Sequence, residues 1–222
     1  MAYSGEDLFR NYRKTYIISP FQASQVTPLG YDLRVGFVLA LKYNGEDAKA
    51  SFGAEMQKIT HQDADVADGY QVNEISINPG GSILIVTVEQ ICLSHRVLAT
   101  VQAKASISMQ GLFLNPVTVD PNFASESGTS GRLVIYMHNN SGRRVKIREK
   151  QKIATLIMHE VATPTSHHPE KSGFEDVLKV LGDNYDQSVL EKINVYIGVH
   201  ANTRGFREFE RDRRALMSYI RT

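Results

Sequence analysis

The carboxylate of Asp120 is the first candidate for chemistry in this sequence, because it ends the apolar run that begins at Gly111. A carboxylate is a reasonable general base for activating a water molecule. The segment ASESGTS, which follows Phe123, contains a second carboxylate, that of Glu126. Segments rich in glycine and serine are usually surface loops, so Glu126 is the weaker candidate.

Other reactive side chains point to no further catalytic centre. A zinc deaminase needs an H-x-E motif and a later P-C-x-x-C motif, and the single cysteine, Cys92, excludes that pattern. Cys92 lies in an apolar run and is predicted to be a buried small hydrophobe. His167 and His168 are predicted to lie in a solvated loop, and His138 and His159 to have structural or surface roles. The sequence has no P-loop and no G-x-S-x-G elbow, and we expect no protein-bound metal.

Two basic segments are predicted to have structural rather than ligand-binding roles. Arg144, Lys146 and Arg148 alternate with apolar residues, which predicts a half-buried strand with a solvated basic face. The alternative is that this face lines an anion site in an oligomer. The amphipathic tail 204–221 is predicted to pack within the protein or against a neighbouring subunit rather than to bind RNA or membrane.

Bulk composition indicates a globular protein large enough for a full core. The chain has 222 residues, with 42% hydrophobic residues, 22% charged residues and a net charge of +1. This charge selects neither nucleic acid nor a membrane surface. No apolar run reaches the roughly 18 residues of a transmembrane helix, and the N-terminus lacks the apolar region of a secretory signal. One cysteine cannot form an internal disulfide, and we expect a cytoplasmic protein.

Two regions of the chain differ in the periodicity of their apolar residues. Residues 1–162 are strand-like, 163–173 are predicted to be a linker, and 174–222 are helix-like. Many short strands separated by turn signals predict a β-sandwich or barrel rather than a parallel α/β sheet. The strand-like runs are YDLRVGFVLAL, GSILIVTVEQICL, LATVQAKASI, GLFLNPVTV, RLVIYMH, RRVKIRE and KIATLIMHEV.

Helices are predicted near both ends of the sequence. Acidic residues after Ser4 indicate a short N-terminal helix. The C-terminal region contains three helical stripes of apolar residues, at 174–181, 189–197 and 206–220. Arg213 interrupts the third stripe.

Four blocks within about residues 7–160 resemble the family that contains dCTP deaminase and dUTPase. The first block, ISPF followed by PLGYDLRVG, is similar to the dCTP deaminase segment in which an I-x-P-F turn leads into a strand that bears Y-D-L-R. In this strand Asp32 must face away from Tyr31 and Leu33.

The resemblance implies a phosphate-binding role for residues of two blocks. Lys104, Ala105 and Ser106 match the family's R-S-S, and KQKIATLIM resembles R-I-A-Q-L, with Lys152 and Thr155 in place of Arg and Gln. A lysine neutralises phosphate as a point charge without the fork of arginine. The resemblance therefore implies that Lys104, Ser106, Lys152 and Thr155 bind the nucleotide's phosphates.

The remaining block, GLFLNPVTVDPNF, resembles the base and sugar pocket of the family. Asn115 matches a pocket asparagine, and Phe123 matches the aromatic residue that lies against the deoxyribose. Asp120 matches the aspartate that activates the attacking water in dUTPase-like members. Tyr136 stands where deaminases of the family carry a catalytic glutamate, and a phenol is a poor general base at neutral pH. The dUTPases' glycine-rich C-terminal arm is only weakly matched, at 204–206.

The resemblance implies a mainly β fold, a dUTPase-like distorted jelly-roll or barrel with a C-terminal helical extension. It also implies a homotrimer that binds a pyrimidine deoxynucleoside triphosphate, with Mg²⁺ held by the phosphates. We expect hydrolysis of dUTP or dCTP with water activated by Asp120, rather than deamination. One alternative is a catalytically inactive nucleotide-sensing or scaffold trimer. Another is a true dCTP deaminase in which Glu126 serves as a substitute base.

Overall fold

The computed structural model describes residues 1–43, 50–51, 74–126, 131–166 and 204–220. Antiparallel strands contain more of these residues than helices do, which confirms the predicted mainly β fold class. The α-helices are α1 (Gly5–Asn11), α2 (Ala105–Ser108) and α3 (Arg204–Ile220). The strands are β1 (Tyr16–Ser19), β2 (Val26–Thr27), β3 (Gly30–Tyr43), β4 (Ala50–Ser51), β5 (Glu74–Ile77), β6 (Ser82–Leu93), β7 (Val97–Ala103), β8 (Leu112–Leu114), β9 (Val117–Val119), β10 (Arg132–Asn139), β11 (Val145–Arg148) and β12 (Lys152–Glu160).

One large sheet carries almost all the strands. Its hydrogen-bonded order is β8-β10-β6-β3-β12-β7-β9, with β1 paired to β6 and with β2 and β4 paired to β3. Strands β5 and β11 form a separate pair. Strand β3 therefore joins β6 and β10 on one side to β12 and β7 on the other, and its register with β6 shifts at Gly36. A Cβ atom at Gly36 would lie 2.8 Å from the backbone nitrogen of Val88, so only glycine fits.

Alternation of buried and half-exposed residues gives the sheet an inner and an outer face. In β10 the side chains of Leu133, Ile135 and Met137 enter the core, whereas Tyr136 and His138 face outward. This is the period of two that a β-strand imposes on its side chains. The polar residues of the outer face are therefore positioned by strands whose inner face is tightly packed.

Helix α3 confirms the predicted C-terminal helix at 206–220 and packs beside β1. Phe209 and Leu216 form a small cluster with Ile17 and Cys92, all fully buried. Arg213, predicted to interrupt the apolar stripe, is 1% exposed instead. Its guanidinium pairs with Glu210 and lies over the ring of Phe209, so the charge is buried within the helix contact. Cys92 is buried as predicted.

Two of the strand-like runs do not form single strands, and the run 111–119 divides into β8 and β9 at Asn115 and Pro116. The run 98–107 was expected to be a single strand, but β7 ends at Ala103 and α2 begins at Ala105. The predicted helices at 174–181 and 189–197 lie outside the described residues, so the division at 162 and 173 remains a prediction. In the part of the chain that is described, no helix combines the length and apolarity required to cross a membrane.

Candidate active site

A buried carboxylate, that of Asp32, gathers three of the four side chains predicted to bind phosphate. Lys104 Nζ lies 2.7 Å from Asp32 Oδ1, and Lys152 Nζ lies 3.3 Å from Oδ2. Thr155 Oγ1 donates a hydrogen bond of 3.1 Å to Oδ1. Asp32 is 4% exposed, whereas the lysine side chains are 27% and 42% exposed. The ammonium groups thus lie between a buried negative charge and the surface. We call Asp32, Lys104, Lys152 and Thr155 the lysine cluster.

Strand pairing explains why these residues meet. Tyr31 and Leu33 enter the core, so Asp32 must face the opposite side of β3, as predicted. Thr155 is the direct partner of Asp32 on the neighbouring strand β12. Lys152 begins that strand, and Lys104 lies between the end of β7 and the start of α2. Ser106, the fourth predicted phosphate ligand, is exposed on α2.

A second buried ion pair, between Glu89 and Arg34, is linked to the lysine cluster through Gln25. Glu89 is fully buried and lies 2.7 Å from Arg34 Nε. The backbone nitrogen of Arg34 donates a hydrogen bond of 2.9 Å to the same carboxylate. Gln25 Nε2 donates to Glu89 Oε1 at 2.9 Å and to the carbonyl of Asp32 at 2.6 Å. Buried charges of this kind are tolerated only when they are paired and hydrogen-bonded.

Asp120 occupies a very different environment. It is exposed at the end of β9, and within the described ranges no residue forms a hydrogen bond or ion pair with its carboxylate. A tight turn follows, in which Asn122 and Ala124 have φ angles of 65° and 50°. Phe123 anchors this turn, since it is 8% exposed and its carbonyl accepts a hydrogen bond of 3.0 Å from Leu93. The carboxylate is therefore held by a rigid backbone and is available to a ligand.

The other predicted pocket residues lie on the outer face of the sheet or in the loop. Asn115 is exposed, and its backbone nitrogen donates a hydrogen bond of 3.0 Å to the carbonyl of Tyr136. The hydroxyl of Tyr136, which is predicted to stand in the position of the deaminase glutamate, lies 2.7 Å from Ser82 Oγ. Glu126 is exposed at the edge of the insert, whose residues 127–130 are outside the described ranges.

The lysine cluster and Asp120 lie near opposite ends of β7. Val119, which precedes Asp120, pairs with Ala99, and Lys104 follows Ala99 by five positions. Five residues of extended strand span about 17 Å. A general base must lie within hydrogen-bond reach of the water at the reacting phosphorus, directly or through one further water. Asp120 and Lys104 of a single chain are too far apart to act together at one phosphate.

A cavity of about 550 Å³ lies at the lysine-cluster end of β7. Ala103, which precedes Lys104, contributes to its wall, as do Leu114 and Pro116 on either side of Asn115. This volume is within the usual range for small-molecule sites. Asp120 does not line the cavity.

The predicted basic face of β11 is confirmed as a solvated strand face. Val145 and Ile147 are buried, while Lys146 and Arg148 are exposed. Both cations pair with Glu74, at 2.5 Å and 3.1 Å. These hydrogen bonds and charges lower the pKa of the Glu74 carboxyl.

Comparison with known proteins identifies the family. The model of the dCTP deaminase-like family matches residues 3–161, which include the lysine cluster, Asp120 and Tyr136. The chain belongs to the dCTP deaminase-like family. It is thus a member of the superfamily of dCTP deaminases and dUTPases.

Individual members of the family are distant relatives. A dUMP-forming dCTP deaminase of Nanoarchaeum equitans is 28% identical over 174 residues, which cover 72% of this chain and 84% of that protein. A dCTP deaminase of Acidianus ambivalens is 29% identical over 166 residues, covering 72% and 86%. A crystal structure of 2′-deoxycytidine 5′-triphosphate deaminase from Agrobacterium tumefaciens shares the fold, with a TM-score of 0.50 and 11% identity over 72% of this chain and 49% of that one.

Some residues of this dCTP deaminase-like site were missed from sequence. For Asp32 only the direction of the side chain was predicted, and no role was predicted for Glu89, Arg34 or Gln25. The signal for two of them was present, because Glu89 is an acidic residue within a long apolar run and Arg34 shares the face of Asp32. A charged residue in a buried strand requires a partner, which is a reason to look for one.

Proposed function

We propose that the protein binds a pyrimidine deoxynucleoside triphosphate and hydrolyses it at the phosphates. Asp120 takes a proton from water, the water oxygen bonds to the α-phosphorus, and the bond to the bridging oxygen breaks to release pyrophosphate. The observation that carries this proposal is the carboxylate of Asp120, exposed at a rigid strand end and unpaired among the described residues. A carboxylate in this state can accept a proton.

Position 136 argues against deamination of the ring. It carries a tyrosine whose hydroxyl bonds to Ser82. One relative is named a dUMP-forming dCTP deaminase. Formation of dUMP from dCTP consumes two waters and releases ammonia and pyrophosphate. A chain that lacks the deaminase glutamate would retain only the pyrophosphate-releasing half of such a reaction.

The lysine cluster supplies the phosphate half of the proposed site. Lys104, Lys152 and Thr155 converge there, and Ser106 is exposed on the adjoining helix. In the described segments no three His, Cys, Asp or Glu side chains are grouped to hold a metal ion. Mg²⁺ would accordingly enter bound to the phosphates, where it neutralises their charge.

The separation along β7 supports a site shared between subunits. Asp120 and Lys104 of one chain are about 17 Å apart along extended strand. A closed trimer, in which each interface joins two different surface patches, can bring Asp120 of one subunit to the lysine cluster of the next. Asp120 is then exposed in a single chain because the neighbouring subunit completes its pocket.

Product analysis tests the proposal. The protein is incubated with Mg²⁺ and dUTP or dCTP, and the products are separated by chromatography. We expect a nucleoside monophosphate and pyrophosphate, and we expect Asp120→Asn to abolish them. Glu160→Gln, an exposed carboxylate at the end of β12, is the matched control. Equal rates in Asp120→Asn and the parent would remove Asp120 from the mechanism.

A nucleotide sensor is the second candidate. It is favoured by the departures Ala105, Thr155 and Tyr136 and by the pairing of both lysines with Asp32. Unchanged nucleotide, together with calorimetric binding of one nucleotide, would support it. Deamination is the third outcome, and its signature would be dUMP or dUTP formed from dCTP and lost in Glu126→Gln.

A further inference from the structure

The turn that begins at Asp120 is anchored on the last residues of β6. We call residues 120–125 the Asp120 turn. The backbone nitrogen of Leu93 donates a hydrogen bond of 3.0 Å to the carbonyl of Phe123. The carbonyl of the residue after Leu93 accepts a hydrogen bond of 3.3 Å from the backbone nitrogen of Asn122. The backbone at the end of β6 therefore determines where the Asp120 turn lies.

Helix α3 covers the other face of the same strand end. Side chains alternate along a strand, so Ile91 and Leu93 belong to the main core while Cys92 points to the opposite face. There Cys92 packs with Phe209 and Leu216 of α3, and all three side chains are fully buried. Helix α3 thus packs directly on the backbone to which the Asp120 turn is bonded.

Phe209 also contacts Gly131, the residue that precedes β10. A Cβ atom on Gly131 would lie 2.8 Å from Phe209 Cζ and 2.5 Å from the carbonyl oxygen of Ile91. The φ angle of Gly131 is 64°, a conformation that favours glycine. The carbonyl of Gly131 accepts a hydrogen bond of 2.6 Å from the backbone nitrogen of Ile91. The ring of Phe209 therefore packs against two segments that meet at the end of β6.

We infer that α3 is a positioning element for Asp120 and that it acts through Phe209. The inference rests on the proposed hydrolysis. In that reaction Asp120 meets only the attacking water, whereas the lysine cluster holds the phosphates. A displaced Asp120 turn therefore slows proton transfer without weakening substrate binding. A displacement of about 1 Å can lower a rate about 10²-fold. Because α3 lies outside the family match at 3–161, this support comes from a part of the chain that the family domain does not include.

Steady-state kinetics and labelling of the single cysteine test the inference together. Pyrophosphate release from dUTP and dCTP is measured with Mg²⁺ for the parent, Phe209→Leu and Phe209→Ala. A thiol reagent then measures how fast Cys92 becomes accessible under α3 in each protein. We expect Phe209→Ala to be labelled about tenfold faster and to lose about tenfold in kcat, with KM unchanged. Phe209→Leu keeps an apolar side chain at this contact and should recover most of both values.

A matched control removes a buried side chain elsewhere. Ile147→Ala alters the separate β5–β11 pair, where Ile147 is 1% exposed, and should keep the parental kcat and labelling rate. Should Phe209→Ala fail to fold, Asp212→Asn replaces it in both measurements. That variant loosens α3 by breaking the ion pair of 2.6 Å between Asp212 and Arg13.

The outcomes separate this inference from the function on which it rests. If the parent releases no pyrophosphate from either nucleotide, the proposed hydrolysis fails and the inference fails with it. If the parent is active and Phe209→Ala is labelled faster at an unchanged kcat, only the inference is overturned. Unchanged labelling also overturns it, since Phe209 would then not hold α3. A rise in KM in place of the fall in kcat overturns it as well, because α3 would then support substrate binding.

Discussion

Two carboxylates, those of Asp32 and Asp120, lie near opposite ends of β7 and differ in burial and in pairing. Asp32 is 4% exposed and binds Lys104, Lys152 and Thr155. Asp120 is exposed and has no ion pair among the described residues. The buried carboxylate is committed to organising cations, whereas the exposed one is free to react.

The energetic consequences of substitution should differ in the same way. Removing a buried carboxylate that accepts charge-assisted hydrogen bonds costs roughly 1.5–3 kcal/mol. Replacing an exposed, unpaired residue changes the free energy of unfolding by less than about 0.5 kcal/mol. Substitutions at Asp32 and Asp120 should therefore separate stability from activity.

The largest effect is expected on catalysis at Asp120. Asp120→Asn removes the proton acceptor and should lower kcat by about 10²–10⁴-fold, the usual contribution of a general base. Chemical denaturation of the same variant should give a free energy of unfolding close to that of the parent. A stability loss of several kcal/mol would show that Asp120 has a structural role, which would contradict the contrast with Asp32.

The next effect is expected on stability at Asp32. Asp32→Asn should lower the free energy of unfolding by roughly 1.5–3 kcal/mol, because the charge-assisted hydrogen bonds to Lys104 and Lys152 are lost while these partly exposed lysines stay solvated. Urea denaturation followed by circular dichroism measures it. If the variant is as stable as the parent, Asp32 does not stabilise the lysine cluster.

A smaller effect is expected from the lysines themselves. Lys104→Met and Lys152→Met should each raise KM about tenfold, since a hydrogen bond to a charged group contributes roughly 1.5–3 kcal/mol. Lys146→Met, on the solvated face of β11, is the control and should leave KM unchanged. Equal KM values in all three variants would remove the lysine cluster from substrate binding.

The smallest effect is expected at Cys92, which is buried with Phe209 and Leu216 of α3. Burial raises the pKa of its thiol to about 12, so at pH 8 the reactive thiolate is scarce. A thiol reagent should label the folded protein slowly and the denatured protein with one group per chain. The contribution of the buried thiol to stability is complete below the unfolded-state pKa of about 8.5 and declines as the pH rises towards 12. Rapid labelling of the folded protein would mean that α3 does not cover Cys92.

Periodicity predicted the parts of the fold in which neighbouring residues decide the structure. The strands, the helix at 206–220 and the facing of Asp32 follow from alternation within a few residues. The burial of Arg213 does not, since it depends on Glu210 and Phe209 meeting β1 through the tertiary fold. The lysine cluster joins positions 32, 104, 152 and 155, and a sequence pattern alone cannot show that such distant residues share one carboxylate. Only the resemblance placed three of them in one site.

Mixing variants that are impaired in different halves of the site tests the shared site most directly, at a substrate concentration well below the KM of the lysine variants. Asp120→Asn chains are unfolded and refolded at equal concentration with Lys104→Met, Lys152→Met double-variant chains, and pyrophosphate release is measured. If Asp120 and the lysine cluster come from different subunits, random assembly into trimers restores about a quarter of the parental activity, because one neighbouring pair in four combines an intact Asp120 with an intact lysine cluster. Activity no greater than the average of the two variants would contradict the shared site.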